Sequence, residues 1–287
     1  MDNLKKIFDT NYLVFNNGVL EETDTSLSSL TFDEPMKVKI INRFSKDATV
    51  KYVLNADVTI EEIVVLEKDV TVKVVIECAE NVKFNYTRLL TSTGANVQMN
   101  VNAVLQRESY INNKSIMLLS SNGKIHEDVK VSENGNYENT NVIVNGTNLI
   151  QDYVVDITLT EAMAKSEMVN YSICKEKSIL NVFTNGIINK NAKQTVLGQK
   201  TKGLLLDEES AISANPQLVI DEFDCLASHG AGIGAIDEDE LYYLMSRGLS
   251  REESERLIIG GFINPVLNAI EDEKFSSYVQ EQIKKFL

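Results

Sequence analysis

Alternation of apolar and polar residues dominates the first three quarters of the chain. One example is the segment 72–78, whose apolar residues stand at every second position. The same period recurs in three further segments, 36–40, 82–86 and 97–105. Period-2 alternation turns one set of side chains inward and the other toward solvent, so it predicts β-strands. Short breaks that contain Asn, Gly and Asp separate the runs and indicate turns.

The strand pattern is compatible with more than one fold. No helical period of useful length occurs between Val14 and Ile220, which excludes a doubly wound α/β fold and leaves a large sandwich, a barrel or a β-solenoid. Asn-Gly pairs, which are typical of tight hairpins, keep the sandwich open. Strand runs that recur about every 10 to 12 residues also suit an irregular solenoid with two runs on each coil. The Asn-Gly pairs are Asn17-Gly18, Asn122-Gly123, Asn134-Gly135, Asn145-Gly146 and Asn185-Gly186.

Helical patterns begin near Asp237. Asp237 opens a capping-box pattern, and Gly248 suits the helix end, where a left-handed residue is needed. Ser250 begins a second capping-box pattern, and Pro265 is predicted to interrupt the helix that follows. A third helix fits the spacing of Phe275, Tyr278, Val279, Ile283 and Phe286. The chain therefore divides into a short lead (1–11), a β core (12–235) and a helical part (236–287).

Charge and composition narrow the classes of function. The 287 residues carry a net charge of −14, which argues against nucleic acid as a main partner because phosphate binding needs clustered Lys and Arg. No apolar stretch reaches the roughly 18 residues of a membrane span, so none is predicted. The first residues lack the apolar run of a secretory signal, and a cytoplasmic location is the default expectation.

The candidates for chemistry are few, with three cysteines and two histidines. The odd number and wide spacing of the cysteines suggest no disulfide framework, and without a CxxC pair no structural zinc site is readable. Cys225 and His229 stand four residues apart and could bind iron or zinc, or form a nucleophilic pair. An alternative interpretation makes Cys225 a small buried residue and His229 an ordinary loop histidine.

The remaining unusual residues have simpler interpretations. Cys78 shares an apolar face and is predicted in the core, whereas Cys174 has the opposite parity from Tyr171 and is predicted to be more exposed. His126 is interpreted as a solvated strand residue. The glycines of the run 230–234 are interpreted as turn residues, because the run is not GxGxxG and acidic residues follow it.

Six segments of the chain match the motifs of one protein family in the same order and at the same spacing. The combination is more specific than any single segment. The central one is Ser228-His229-Gly230-Ala231-Gly232-Ile233-Gly234. The others are Tyr12-Leu13-Val14-Phe15-Asn16-Asn17-Gly18, Asn181-Val182-Phe183-Thr184-Asn185-Gly186-Ile187, Ala214-Asn215-Pro216-Gln217-Leu218-Val219-Ile220, 237–250 and 258–267. Together they resemble the SufB/SufD proteins of iron–sulfur cluster assembly, tightly over roughly 70 C-terminal residues and more loosely upstream.

The resemblance implies a fold and a set of partners. It implies a right-handed parallel β-helix core with a small C-terminal helical subdomain that docks the ATPase SufC. It also implies pairing with a SufB/SufD-type subunit, as a homodimer or a heterodimer. His229 aligns with the family histidine at the subunit interface, where the cluster is thought to assemble, and Cys225 is the second candidate there. The residues expected to contact the ATPase are Leu241, Leu244, Met245, Arg247, Leu257, Ile258 and Phe262.

Several positions depart from the family pattern. Ala227 stands where SufD proteins often have a cysteine, and Ser228 and Gly230 stand where SufB proteins have glutamates. The scaffold cysteine of SufB would fall near Lys200-Thr201, where this chain has none. These departures favour a SufD-like helper, or a compact homodimeric relative that works with SufC alone.

The sequence therefore predicts a non-catalytic subunit of a SUF-type assembly complex, with the ATPase activity in the partner. No stably bound cofactor is expected, and a cluster or an iron ion would be held only transiently at a subunit interface. Two alternatives remain open. One is a carbohydrate-active β-helix enzyme, which would need clustered carboxylates along a groove. The other is a purely structural β-solenoid, which would leave the specific helical tail unexplained.

Overall fold

Parallel strands build most of the computed structural model, which describes residues 11–23, 25, 27, 29–268 and 270–287. Three helices, α1 (Glu238–Ser246), α2 (Arg251–Leu267) and α3 (Glu273–Phe286), follow the last strand. The strands are β1 (Tyr12–Asn16), β2 (Val19–Thr23), β3 (Thr31–Phe32), β4 (Met36–Phe44), β5 (Ala48–Leu54), β6 (Val58–Leu66), β7 (Val70–Cys78), β8 (Lys83–Ser92), β9 (Asn96–Leu105), β10 (Tyr110–Leu119), β11 (Asn122–Val131), β12 (Asn136–Asn145), β13 (Ile150–Leu159), β14 (Lys165–Cys174), β15 (Ile179–Ile188), β16 (Thr195–Leu205), β17 (Ala211–Ile220) and β18 (Cys225–Ala235).

Successive strands alternate between two sheets. The ten-stranded sheet has the order β18-β16-β14-β12-β10-β8-β6-β4-β1-β2, and the eight-stranded sheet has the order β17-β15-β13-β11-β9-β7-β5-β3. Each coil contributes one strand to each sheet, and about eight turns stack into a solenoid. The predicted parallel β-helix with C-terminal helices is therefore confirmed, and the sandwich and barrel are excluded. Crossovers between parallel strands are right-handed in nearly all proteins, in agreement with the implied hand of the coil.

The Asn-Gly pairs turn out to have different roles. Asn17-Gly18 joins β1 to β2, the antiparallel pair at the start, with φ angles of 51° and 80° that match a tight hairpin turn. The other pairs lie at coil corners or inside strands, and Asn134 turns one corner with a φ of 53°. A left-handed residue can turn a coil as readily as a hairpin, which is why the dipeptide alone did not distinguish the two folds.

The coils are longer than the sequence spacing suggested. β8 begins at Lys83 and β9 at Asn96, thirteen residues later, while β15 and β16 begin sixteen residues apart at Ile179 and Thr195. The predicted spacing of 10 to 12 residues holds from β4 to β7 and is too short for most later strands, because those strands have ten or eleven residues and the corners add several more.

One continuous hydrophobic core fills the space between the two sheets. Cys78 is buried there, as predicted from the alternation that it shares with Val72. Cys174, predicted to be exposed, is fully buried in the same core. The prediction assumed that the apolar residues Tyr171 and Ile173 point into the core and that Cys174 points outward. In the structure Tyr171 and Ile173 face outward and are covered by helices, so both faces of β14 are buried.

The helices α2 and α3 cover part of the outer face of the ten-stranded sheet. Phe262 of α2 packs edge-on against Tyr171 of β14, with ring centroids 5.4 Å apart. At the start of α3, Lys39 Nζ and Asp272 Oδ2 form an ion pair of 2.5 Å. A satellite apolar cluster joins helices and sheet through buried residues such as Ile263 and Phe275. This contact fixes the helices on the solenoid.

Helix boundaries agree with the sequence signals except at Pro265. Ser250 and Glu253 form the predicted capping box, and Gly248 ends the α1 turn with a φ of 99°. Pro265 was predicted to interrupt α2, yet the helix continues through it to Leu267. The proline lies in the last turn, where it removes a single backbone hydrogen bond and the buried Leu267 still holds the chain on the sheet.

Candidate functional site

The last coil of the solenoid is open at its end. β17 and β18 are the terminal strands of their sheets, so no further coil of the described residues covers the side chains that point along the solenoid axis. Ile220 and Ile233 share the inward parity of buried residues on the preceding strands, yet they are 42% and 40% exposed. We call this uncovered terminal coil of β17 and β18 the open end.

His229 lies at the open end. Its register partner on β16 is Gln199, a buried residue of the solenoid interior, so alternation places His229 on the inward side of β18. The imidazole is exposed because no strand covers it. The run 230–234, predicted to be a turn, is part of the same strand, and Gly230, Gly232 and Gly234 occupy its outward positions. The turn prediction was wrong because the edge position and the absent side chains leave an extended strand unhindered.

Cys225 does not join His229 in a common site. Both residues have inward parity on β18, but four residues of extended strand separate their Cα atoms by about 13 Å. A metal ion bound to both would need sulfur and nitrogen ligands within about 2.3 Å of it, which this separation does not allow. The Cys225 thiol instead donates a hydrogen bond to the carbonyl oxygen of Glu222 at 3.2 Å. The same distance rules out a Cys–His nucleophilic pair in this conformation.

A groove of about 600 Å³ runs along the outer side of the ten-stranded sheet beside His229. The groove forms because small residues, Gly198, Ser228 and Gly230, occupy outward positions of the sheet there. Lys200 and Lys202 also line it. The Lys202 ammonium group lies 5.2 Å from the centroid of the Tyr171 ring.

The residues around His229 do not form a cluster site within one chain. The described residues contain no group of three or more His, Cys, Asp or Glu side chains arranged to hold a metal ion. Lys200 and Thr201 occupy the region where the resemblance would place a scaffold cysteine, and their register neighbours on β18 are Gly230 and Ala231. His229 is therefore a single donor on an exposed strand, and a cluster would need further ligands from another molecule.

The residues expected to contact a partner differ in how far the C-terminal helices expose them. Met245, Arg247 and Leu257 are exposed, whereas Leu241 is 1% exposed and Phe262 packs on Tyr171. Leu244 and Ile258 are half-buried. For Leu241 and Phe262 the structure favours a positioning role, because their side chains already contact the body of the protein.

Two aromatic residues add to the exposed helix surface without having been singled out from the sequence. Tyr242 and Tyr243 of α1 are 75% and 55% exposed, beside Met245 at 42% and Leu257 at 56%. We call these four residues the helix surface. The signal was present in the run Leu241-Tyr242-Tyr243-Leu244-Met245, because a nine-residue helix cannot bury apolar residues on every side against one sheet.

Sequence reasoning also missed a polar cluster inside the solenoid. Glu62, Arg88 and Glu127 are each 1% exposed. Arg88 Nη2 donates to Glu127 Oε1 at 2.9 Å, and the Tyr52 hydroxyl donates to Glu62 Oε1 at 2.7 Å. Burial and the neighbouring Glu62 carboxylate raise the pKa of Tyr52 well above its ordinary value, so Tyr52 stays a neutral donor.

The interior hydrogen bonds continue from Glu127 toward the open end. Tyr153 donates to Glu127 Oε2 at 3.2 Å and accepts from Asn141 at 2.8 Å, which in turn donates to Asn170 Oδ1 at 2.9 Å. Asn170 then donates to Thr201 Oγ1 at 3.4 Å. The polar chain thus reaches β16, the strand next to β18.

His126 lies on the outer face of the eight-stranded sheet, away from these groups. Its Nε2 atom and Asp156 Oδ2 are 2.7 Å apart, and Asp156 Oδ1 accepts a hydrogen bond from Asn185 at 2.6 Å. The histidine is a partly exposed strand residue, as predicted. The carboxylate beside it has both oxygen atoms engaged.

Comparison with known proteins gives a consistent picture. The family model described as "SUF system FeS cluster assembly, SufBD core domain" matches residues 40–262. The iron–sulfur cluster assembly protein SufD of Bacillus subtilis is 32% identical over 176 residues, which cover 56% of this chain and 40% of that protein. A SufBD family protein of Pyrococcus horikoshii is 36% identical over 142 residues, covering 49% and 31%. SufD of Escherichia coli is 33% identical over 101 residues, covering 34% and 24%.

These matches cover less than half the length of each relative. They therefore support a shared core domain and not a match between the full-length proteins. Among the described residues, no helix is long and apolar enough to cross a membrane. The family model spans well over half of the chain, from the second coil of the solenoid into α2. With its coiled parallel sheets and its helices after the last strand, the chain belongs to the SufBD core family of the SUF system for iron–sulfur cluster assembly.

Proposed function

We propose that this chain is a non-catalytic scaffold subunit of a cytoplasmic SUF-type assembly complex. In this proposal the helix surface binds a SufC-like ATPase, and the open end pairs with a second SufB/SufD-type subunit. The observation that carries the proposal is the pair of uncovered apolar surfaces at the C-terminal end of the solenoid, on a chain of the SufBD core family. Exposed apolar surfaces of this kind mark interaction sites.

The helix surface supports the docking part of the proposal. α2 and α3 are held on the ten-stranded sheet by buried residues, so the exposed Leu257 is presented on a rigid support. Tyr242 and Tyr243 add aromatic area, and aromatic residues are enriched at the centres of interfaces. A rigid apolar surface binds at a low entropic cost, because few side chains must be ordered.

The docking test compares two exposed apolar residues in different places. Leu257→Asp introduces a charge into the helix surface, while Val19→Asp introduces one at an equally exposed position on β2, at the other end of the sheet. After coexpression with a SufC-type ATPase from the same genome, we expect Leu257→Asp to reduce copurification at least tenfold and Val19→Asp to leave it unchanged. Equal copurification of both variants, with unfolding midpoints like the wild type, would contradict the docking surface.

The open end supports the pairing part. β18 is an edge strand with free backbone groups, and Leu226 is 71% exposed and Phe223 fully exposed beside it. An uncovered edge strand readily pairs with another chain unless it is protected. The test is the mass of the protein in solution, with and without the ATPase. We expect Leu226→Asp to give a monomer, while Ile150→Asp, an exposed position in the middle of the solenoid, retains the wild-type mass.

His229 is the residue we assign to the interface where a cluster or an iron ion, as cargo, would be handled. As a single donor, it could act only together with ligands from the paired subunit. Anaerobic reconstitution with iron and sulfide tests this role by comparing His229→Ala with His126→Ala, the other histidine of the chain. We expect bound iron and cluster absorbance to fall only in His229→Ala. An identical yield from both variants would remove His229 from the proposal and leave docking and pairing to be judged by their own tests.

A further inference from the structure

A small cavity lies next to the polar cluster inside the solenoid. Its volume is about 10 Å³, roughly the space that one water molecule needs. Apolar residues of β7, β9 and β10 form part of its wall. The polar part of the wall consists of Tyr86, Arg88, Asn113, Glu127 and Tyr137. The wall of the cavity is therefore partly polar.

Two polar atoms of the residues that line the cavity lack a hydrogen-bond partner within the described part of the chain. One is the donor Nε of Arg88, and the other is the acceptor Oδ1 of Asn113. The remaining polar groups of both side chains are engaged, since Arg88 Nη2 donates to Glu127 and Asn113 Nδ2 donates to Asn139 Oδ1 at 3.2 Å. Both side chains are at most 5% exposed. A buried polar atom without a partner is costly, so these two atoms need a ligand.

We propose that this cavity binds one internal water molecule, which accepts a hydrogen bond from Arg88 Nε and donates one to Asn113 Oδ1. The chemistry of the two atoms selects water. A chloride ion could accept from Arg88 but could not donate to Asn113, and a metal cation could bind the Asn113 oxygen but would be repelled by the guanidinium group. A larger ligand does not fit the volume. Internal waters normally make about three such bonds, and Tyr86 and Tyr137 also line the cavity.

The water molecule lies within the part of the interior cluster that surrounds Glu127. Tyr86 donates to Glu62, and Tyr137 donates to Glu127 Oε2 at 3.4 Å, so the cavity lies between the hydrogen bonds of the two carboxylates. Both partners of the water are already linked to Glu127, Arg88 directly and Asn113 through Asn139, so the water closes a ring of hydrogen bonds beside Glu127. A buried polar network is most stable when its members are satisfied, and the water satisfies the unpaired atoms of Arg88 and Asn113.

A crystal structure of the full chain at a resolution that shows ordered waters tests the site directly. We expect a density peak within hydrogen-bonding distance of both Arg88 Nε and Asn113 Oδ1. An empty cavity, a peak that refines as an ion, or a direct bond between the two side chains would each overturn the proposal.

Two matched variants add a second measurement. Asn113→Leu removes the acceptor, whereas Asn170→Leu removes another fully enclosed asparagine that does not line the cavity. We expect the peak to disappear only in Asn113→Leu. If the variants do not fold, nuclear magnetic resonance of wild-type protein labelled with ¹⁵N-arginine replaces them. A cross-peak between the protected Arg88 Hε and a long-lived water supports the site, and a visible Hε signal without that cross-peak refutes it.

Discussion

Arg88 and Glu127 form an ion pair inside the solenoid although 39 residues separate them in the sequence. The distance from Arg88 Nη2 to Glu127 Oε1 is 2.9 Å, and both side chains are 1% exposed. Burial alone would lower the pKa of Arg88, but the surrounding Tyr86, Glu127 and Glu62 groups raise it overall, so the guanidinium group keeps its charge. The interior of this solenoid is thus organised around a charge pair as well as an apolar core.

Removal of one partner of this pair should be strongly destabilising. Arg88→Met leaves Glu127 as an uncompensated buried carboxylate, and we expect the free energy of unfolding to fall by about 3–5 kcal/mol. The double variant Arg88→Met with Glu127→Gln should lose less than the sum of the two single variants, because no charge is then left buried. Denaturant unfolding of the four proteins measures the coupling. Additive losses would show that the pair contributes nothing as a pair.

An exposed ion pair provides the comparison. Arg107 Nε and Glu133 Oε2 lie 3.4 Å apart with side chains that are 57% and 42% exposed. Solvent screens such a pair, so Arg107→Met should leave the unfolding midpoint nearly unchanged. A loss as large as that of Arg88→Met would mean that burial is not the cause of the effect.

The period of the sequence predicted the strands, and its continuation to Arg88 held a signal for the polar cluster that sequence reasoning missed. Arg88 has the same parity as Phe84 and Tyr86, which belong to the core. The period could not predict how the coils stack on one another. The register between coils, which brings β8, β10 and β11 together, depends on corner lengths that vary along the chain. The contact between Arg88 and Glu127 was therefore not readable from one sequence.

The surfaces proposed to bind partners were predicted from the sequence only in part. The motif around His229 was recognised in the sequence, but the separation of His229 from Cys225 depends on the extended conformation of the residues between them, which their spacing alone did not reveal. The helices and their caps followed from local signals. Which helix residues face solvent depended on how α2 lies on the sheet, a tertiary contact such as that of Phe262 with Tyr171.

Thiol reactivity should distinguish the three cysteines in the folded protein. Burial raises the pKa of Cys78 to about 12 and that of Cys174 to about 11, so their thiolate populations at neutral pH fall at least about 100-fold below that of an ordinary cysteine. Cys225 is half-buried on an end strand. We expect iodoacetamide to label Cys225 first and all three after denaturation, as measured by mass spectrometry of digested protein. Cys225→Ser should show almost no labelling when folded, and rapid labelling of Cys174 would contradict the buried position.

Phe262 and Leu257 should separate helix positioning from partner contact. Phe262→Ala removes the ring that packs on Tyr171, and we expect about 2–4 kcal/mol of destabilisation with faster hydrogen exchange in α2. Leu257 is 56% exposed, so Leu257→Ala should change neither property. Hydrogen exchange followed by mass spectrometry measures both variants. Unchanged exchange in Phe262→Ala would show that the remaining buried residues of α2 suffice to hold it.

The attachment of α3 should weaken in acid. Asp272 caps α3, accepting from the backbone N–H of Phe275 at 2.8 Å, and its Oδ2 atom pairs with Lys39. Partial burial would raise the pKa of Asp272, but the hydrogen bonds from Lys39 and Phe275 outweigh it and hold the pKa below its ordinary value. A carboxylate with a depressed folded-state pKa stabilises the fold above its ordinary pKa of about 3.9, and this stabilisation is lost as the pH falls through the lower folded value.

Asp272→Asn tests this dependence, because the amide retains the shape and cannot titrate. We expect the wild type to unfold at a higher temperature than Asp272→Asn above about pH 5, and the difference to shrink below about pH 4. Glu273→Gln, at the next carboxyl group of the same helix turn, should give a smaller difference because its side chain is exposed and solvent screens its charge. A difference between wild type and Asp272→Asn that stays constant from neutral pH to about pH 3, below the ordinary pKa of an aspartate, would show that the Asp272 charge does not hold α3 on the sheet.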